Sequence, residues 1–144
     1  MRESDAYSDC TLVPRYEVLK YLSWADFRLA LEVILSQVED YKKEKSFNFD
    51  GVYGLPRGGL IFAVCMSYKM KIPLILNEKD ITKNSLVVDD CTNTGKTLNN
   101  FYKTHKNKTA VIFHKPKSTF DPDFIFRTTI HTMNYCWENK DERN

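Results

Sequence analysis

The sequence predicts an α/β protein, a mostly parallel sheet flanked by helices. Two observations carry this expectation. Short aliphatic or β-branched runs alternate along the chain with longer stretches whose apolar residues recur at helical spacing. That order gives parallel strands joined by right-handed crossovers. The second observation is residues 84–98, N-S-L-V-V-D-D-C-T-N-T-G-K-T-L, which read as strand, acid pair, loop and helix. In such a sheet the acids and the loop stand at the carboxyl edge of a strand, where ligands bind.

Taken in order, residues 1–9 are mostly polar and are expected to be loosely ordered. Leu12-Val13-Pro14 and residues 16–22 leave room for a short edge strand near Val18. Ser23-Trp24-Ala25-Asp26 opens a helix, with Ser23 as N-cap and Asp26 as the capping-box acid. It is expected over residues 24–41, with Phe27, Ala30, Leu31, Ile34 and Val38 on one face and a basic end that suits the helix dipole. Residues 49–54 read as the first sheet strand. Leu55-Pro56-Arg57-Gly58-Gly59 is a turn. The helix after it, expected over residues 60–69, carries Leu60, Ile61, Ala63, Val64 and Met66 for packing on the sheet. The second strand is expected at residues 72–76, a short connection at 77–84, the third strand at 86–89 and its helix at 96–104. A fourth strand, 109–113, ends in His114-Lys115-Pro116. Residues 117–123 form a loop, 124–133 one or two short strands, and the charged tail, 138–144, is expected to fray.

At 144 residues the chain is read as one domain, residues 1–144, long enough to bury a core. A hydrophobic content of 42% and a charged content of 28% are ordinary for a globular protein. The net charge of +2, with scattered lysines, speaks against a nucleic-acid or membrane partner. Lys42-Lys43-Glu44-Lys45 is a solvated helix end. Cys10, Cys65, Cys91 and Cys136 form no C-x-x-C, so no zinc or redox motif is indicated. Free thiols fit a reducing, cytoplasmic setting. Neither a signal core nor a membrane-spanning run is present in the sequence.

Two phosphate motifs compete for residues 89–97. Gly95-Lys96-Thr97 ends like a P-loop, but that motif needs glycine where the chain has Asp90. The other reading takes the loop as it stands. Backbone N–H groups, the hydroxyls of Thr92, Thr94 and Thr97, and a helix N-terminus suit a phosphate. Asp89 and Asp90 beside it suit sugar hydroxyls or a hydrated Mg²⁺. The plain alternative is a strand–turn–helix with solvated acids. Gly54-Leu55-Pro56-Arg57-Gly58-Gly59 adds two glycines that admit close backbone approach, and an arginine at a helix N-terminus.

The pattern of hydrophobic strand, two acids and threonine- and glycine-rich loop resembles the ribose-phosphate signature of the type I phosphoribosyltransferases. The chain most resembles the short bacterial xanthine–guanine (6-oxopurine) enzymes of that family. Tyr21-Leu22-Ser23-Trp24 resembles their opening, Pro56-Arg57-Gly58-Gly59-Leu60 their pyrophosphate loop, Phe113-His114-Lys115-Pro116 their base-reading segment and Tyr135-Cys136-Trp137-Glu138 their C-terminal end. The resemblance implies a Rossmann-like fold with a reduced lid and a small C-terminal hood. It implies Mg²⁺-dependent transfer of a 5-phosphoribosyl group from 5-phosphoribosyl-1-pyrophosphate to a purine base, in purine salvage. Asp89 and Asp90 would hold the ribose hydroxyls, directly or through Mg²⁺. Thr92, Asn93, Thr94, Gly95, Lys96 and Thr97 would hold the 5′-phosphate, Arg57, Gly58 and Gly59 the pyrophosphate, and Lys115 the base. Trp137 and Tyr135 are both candidates to stack on the base, and either could be core instead. The Pro56–Arg57 peptide would be cis or strained, and self-association of identical chains is allowed for.

Two departures from the family pattern stand out. Asn93 occupies the position of a third acid that assists proton transfer at the purine; asparagine hydrogen-bonds but is no base at neutral pH. The family's long lid is reduced to residues 77–84, which bears on water exclusion. Together they leave a second reading, a non-catalytic phosphoribosyl or nucleotide binder with a sensing or regulatory role. Cys91 has no basic partner in sequence and reads as a small packed residue. His105, His114 and His131 have no ligand spacing and read as surface or satisfied side chains.

Overall fold

The computed structural model describes residues 20–138. The expectations for residues 1–9, for a strand near Val18, for Cys10 and for the tail lie wholly or mostly outside them. Five strands, β2 (Val52–Gly54), β3 (Leu74–Ile75), β4 (Leu86–Thr92), β5 (Lys108–His114) and β6 (Phe124–Thr128), form one sheet in the order β3-β2-β4-β5-β6, every pair parallel. A two-stranded parallel ribbon, β1 (Tyr21–Leu22) with β7 (Asn134–Tyr135), stands apart from it. The expected α/β architecture is the observed one.

Helix α1 (Trp24–Lys45) starts where the sequence places it. The Ser23 hydroxyl accepts from the Asp26 N–H at 3.1 Å, and Phe27, Ala30, Leu31, Ile34 and Val38 are buried. It runs four residues past the expected end because Tyr41 is anchored between Phe47, Phe49 and Phe124, with ring centroids 5.6–6.1 Å apart. Ser46, left-handed at φ 49°, closes it, and the Phe47 N–H returns to the Lys42 carbonyl.

Helix α2 (Gly58–Met70) begins two residues before the expected start, so both glycines lie in its first turn. Its inward face is Gly59, Phe62, Ala63 and Met66. Leu60 is exposed and Ile61 and Val64 only half-buried, against expectation: a helix apolar all round still turns only one stripe inward. The approach of α2 to β2 depends on missing side chains. A Cβ on Gly54 would stand 2.2 Å from the Gly59 carbonyl oxygen and 2.8 Å from the Ala63 Cβ. Gly54→Ala is therefore expected to cost about 3 kcal/mol of stability, since the clash is with backbone and not with a mobile side chain; denaturant unfolding at constant m reads it.

Strand β4 continues three residues beyond the expected end and takes Asp90, Cys91 and Thr92 into the sheet. The extension is held by β5, where Cys91 faces Phe113 and Thr92 faces His114. Strands β2 and β3 are shorter than expected. One sheet face packs on α1 and α2 around Phe62, Phe113, Phe126 and Ile34. The other holds Tyr53, Leu55, Val87, Leu98, Val111 and Phe120, covered in part by α3 (Lys96–His105).

Candidate functional site

Both sequence motifs come to the carboxyl edge of the sheet and face one another across a cleft of about 360 Å³. Its walls are Pro56, Arg57 and Gly58 on one side and residues 89–98 on the other. Arg57, Gly58, Asp89, Asp90, Thr92, Asn93, Thr94, Gly95, Lys96 and Thr97 all line it. Gly59, Lys115 and Trp137 do not. Gly59 is buried, and a Cβ there would stand 2.7 Å from the Val88 carbonyl oxygen. The peptide between Pro56 and Arg57 is cis.

The acid pair is the electrostatic centre. Asp89 accepts from the Asp90 N–H at 2.8 Å. Burial, then the charge of Asp90, pushes the Asp89 carboxyl well above the ordinary range, and burial raises Asp90 as well. Two carboxylates this close cannot both ionise without a cation or hydroxyl donors between them. The N-terminus of α2 abuts the pair: a Cβ on Gly58 would lie 2.0 Å from Asp90 Oδ2.

The loop over the start of α3 is held from below. Gly95 is left-handed at φ 87°, and a Cβ there would meet Ser118 Oγ at 2.6 Å and the Phe120 nitrogen at 2.7 Å. The Thr94 carbonyl accepts from the Thr119 N–H at 2.9 Å. The Thr94 hydroxyl accepts from the Lys96 N–H at 3.3 Å, which leaves its hydrogen for a ligand. Asn93 and Lys96 are exposed.

Cys91, which the sequence marks as a packed residue, is half-buried in the cleft wall. Burial and the neighbouring carboxylates raise its thiol to about 11, and Sγ points to Asn93 Oδ1 at 3.8 Å. It is no nucleophile at neutral pH. Lys115 is only 5% exposed, yet its ammonium is near enough to favour the Cys91 thiolate. Trp137 stacks on Tyr135 at 4.8 Å and 9° and meets Phe27 edge-on. Tyr135 is 4% exposed, and its hydroxyl donates to the Asp90 carbonyl at 3.4 Å. Sequence reasoning missed this contact between the β1–β7 ribbon and the acid pair, because nothing local ties residue 135 to residue 90. It also missed the pairing of Thr92 with His114, which their equal position at two strand ends could have signalled.

Residues 77–84 are short, as expected, and they lead away from the cleft. A 3-10 turn at Glu78–Asp80 is followed by Thr82 and Ser85, both hydrogen-bonded to the Asp50 carboxylate. Asn107 donates to the carbonyls of Thr82 and Ser85 at 2.7 and 2.8 Å. Glu78 meets His105, the last residue of α3 and thus at the opposite edge of the sheet from Lys96.

A parallel sheet with an acid pair and an anion-accepting loop at its carboxyl edge defines an α/β ligand-binding protein. No family model matches the sequence, and no curated protein does. Solved structures do. A purine phosphoribosyltransferase from Pyrococcus horikoshii is 27% identical, with a TM-score of 0.71 over 84% of this chain and 94% of that one. The Helicobacter pylori xanthine-guanine-hypoxanthine phosphoribosyltransferase, 18% identical, gives 0.65 over 85% and 94%. The Schistosoma mansoni hypoxanthine-guanine phosphoribosyltransferase in complex with IMP, 20% identical, gives 0.62 over 81% and 72%; these last two show the fold alone. The chain shares the α/β fold of these phosphoribosyltransferases and is similar in sequence to the first of them.

Proposed function

We propose that the protein transfers a 5-phosphoribosyl group from 5-phosphoribosyl-1-pyrophosphate to a purine base, a 6-oxopurine, with Mg²⁺ as cofactor. The observation that carries this reading is the placement of Asp89 and Asp90 between two anion-accepting loops on one cleft. The 5′-phosphate lies on residues 92–97 at the N-terminus of α3, where the helix-end N–H groups and the dipole favour an anion. The pyrophosphate lies at Arg57 and Gly58. The ribose spans the acid pair. Similarity to purine phosphoribosyltransferases supports the base class.

The carboxylate pair fits Mg²⁺, which binds through one or two carboxylates with substrate oxygens completing its shell. Among the described residues no group of three or more His, Cys, Asp or Glu could hold a metal alone, so the substrate must supply ligands. When bound, the ion neutralises charge on the leaving pyrophosphate. The protein's own part is to hold sugar and base in line, with Arg57 stabilising the leaving group, as positive charge develops on the ribose. No helix of the described residues is long and apolar enough to cross a membrane, and Cys65, Cys91 and Cys136 are free thiols. The free thiols accord with the proposed cytoplasmic salvage enzyme.

Incubation with the donor, Mg²⁺ and a panel of bases, followed by chromatography, tests the reading: a purine nucleotide and pyrophosphate are the expected products. Asn93 and the crossover pinned away from the cleft favour the second reading, a nucleotide binder. Tight Mg²⁺-dependent binding with no product on any base would establish that one instead.

Thr94→Ala and Thr97→Val are expected to weaken binding of a nucleoside 5′-monophosphate by about tenfold or more, and binding of free base little, since a lost hydrogen bond to a charged group is worth about 1.5–3 kcal/mol. Equal losses for both ligands in a titration would make the loop structural.

A further inference from the structure

The end of β4 is latched to the end of β5 by a hydrogen-bonded chain whose histidine, His114, has no part in the reaction described above. Thr92 Oγ1 lies 2.6 Å from His114 Nδ1 and accepts from the Lys115 N–H at 3.3 Å. His114 Nε2 lies 3.6 Å from the Asp121 carboxylate. Thr92 also lines the cleft, although only 2% of its surface is exposed. We propose that His114 is a positioning residue that sets the direction in which the Thr92 hydroxyl donates, and through it how strongly the cleft holds a phosphoryl group. The inference rests on the reading of residues 92–97 as the phosphate loop.

The argument is one of counting. A hydroxyl has one hydrogen and two lone pairs. The Lys115 N–H, shared with the Thr92 carbonyl at 3.2 Å, takes up one lone pair of Thr92 Oγ1. When His114 Nδ1 carries no proton, the Thr92 hydrogen must go to it, and the imidazole N–H is on Nε2, facing Asp121. When both ring nitrogens are protonated, Nδ1–H fills the second lone pair. The Thr92 hydrogen is then released, and the cleft is where it can turn. Phosphoryl oxygens are acceptors. Anion binding and proton uptake at His114 therefore favour one another. Imidazole is the side chain that changes charge between pH 5 and 8. Among the described residues, Asp121, from the connection after β5, is its charged partner, and Lys115 and Arg127 are the charged neighbours in sequence and on β6. Strand β4 presents neutral Thr92, and β6 neutral Thr128 and Thr129.

The test titrates ribose 5-phosphate into the wild type, Thr92→Val, His114→Asn and His114→Ala at about pH 6 and about pH 8. The wild type is expected to exceed Thr92→Val in affinity by about tenfold at the lower pH, the worth of a charge-assisted hydrogen bond, and to match it at the higher. His114→Asn keeps a side-chain partner for Thr92 that does not titrate, so its advantage over Thr92→Val is the same at both pH values; His114→Ala leaves the Thr92 hydrogen with no acceptor at position 114, so its advantage over Thr92→Val is likewise independent of pH. Nitrogen-15 spectra of the wild type give a second measurement that needs no variant. They should show the Nε2–H tautomer in the free protein at the higher pH, and a doubly protonated ring on saturation with ribose 5-phosphate at a pH where the free ring is neutral. An Nδ1–H tautomer, or a wild-type pH profile identical to that of His114→Asn, overturns the inference while leaving the phosphoribosyl reading intact. Failure of ribose 5-phosphate to bind the wild type at either pH overturns that reading, and the inference with it.

Discussion

Replacing Asp89 and Asp90 together by asparagine is expected to abolish Mg²⁺-dependent binding of 5-phosphoribosyl-1-pyrophosphate and, at alkaline pH, to make the ligand-free protein more stable. The two effects have one cause. Asp89 has a folded-state value raised well above that of an unfolded aspartate, by burial and by the charge of Asp90. A group raised on folding contributes its stability below the unfolded value of about 3.9 and loses it as pH rises through the folded value. The ligand-free wild type is thus destabilised progressively from weakly acidic to alkaline pH, and asparagine removes that loss. The gain is of the order of 1–2 kcal/mol at alkaline pH, after allowance for water in the open cleft, and close to zero near pH 4. An asparagine oxygen at position 89 still accepts from the residue 90 N–H, so the strand end is kept. Thermal melts with and without donor and Mg²⁺ read both effects. The wild type should gain about 2.7 kcal/mol at a hundredfold excess over the dissociation constant, and the double variant nothing. A donor-induced shift that survives in the variant would place the binding site elsewhere. A loss of ligand-free stability at alkaline pH would mean that the pair holds the strand together instead of straining it.

Local chemistry is what made parts of this protein legible in advance. Ser23 caps α1 because a hydroxyl before an apolar helical run has one evident use. Residues 89–97 show a ligand edge because two acids and a glycine turn after a β-branched strand serve little else. The illegible parts depend on partners far along the chain. Tyr21 pairs with Asn134 across more than a hundred residues, and neither segment is a convincing strand alone. Cys91 and Thr92 look like loop until β5 is laid beside them. The direction of residues 77–84 is decided by Asp50, before β2, and by His105 and Asn107 at the end of α3, three side chains from two other segments. The covered position of Lys115 follows from the same kind of long-range closure. The segment before Pro116 looks open in sequence, but the Lys115 N–H is tied to the carbonyl and hydroxyl oxygens of Thr92.

That covered lysine carries the other large expected effect, discrimination between bases. Guanine, xanthine or hypoxanthine is expected to be used and adenine refused, by on the order of 10⁴-fold in kcat/KM. Lys115 is a donor with no acceptor capacity. In the proposed reading it would meet the exocyclic oxygen of a 6-oxopurine, and would face the amino group of adenine donor against donor. Its low exposure sharpens the argument, because a buried ammonium left unpaired is costly. Lys115→Met keeps the length of the stem and its packing, and is expected to lower use of 6-oxopurines while narrowing the gap to adenine. Turnover of the wild type should nevertheless be slow. Asn93 is exposed and lines the cleft; in the proposed reading it stands where a general base would be wanted, and it cannot take a proton. Asn93→Asp should raise kcat on the order of 10²-fold, with a rate that follows ionisation of the new carboxylate. Because residues 77–84 are pinned to the far edge of the sheet, they exclude no water from the reacting sugar, so free ribose 5-phosphate should accompany nucleotide among the products. Chromatography of both products across wild type, Asn93→Asp and Lys115→Met decides the matter. Preferred use of adenine or of a pyrimidine by the wild type would sink the 6-oxopurine assignment. An Asn93→Asp variant no faster than the wild type would show that proton transfer at the base does not limit the rate.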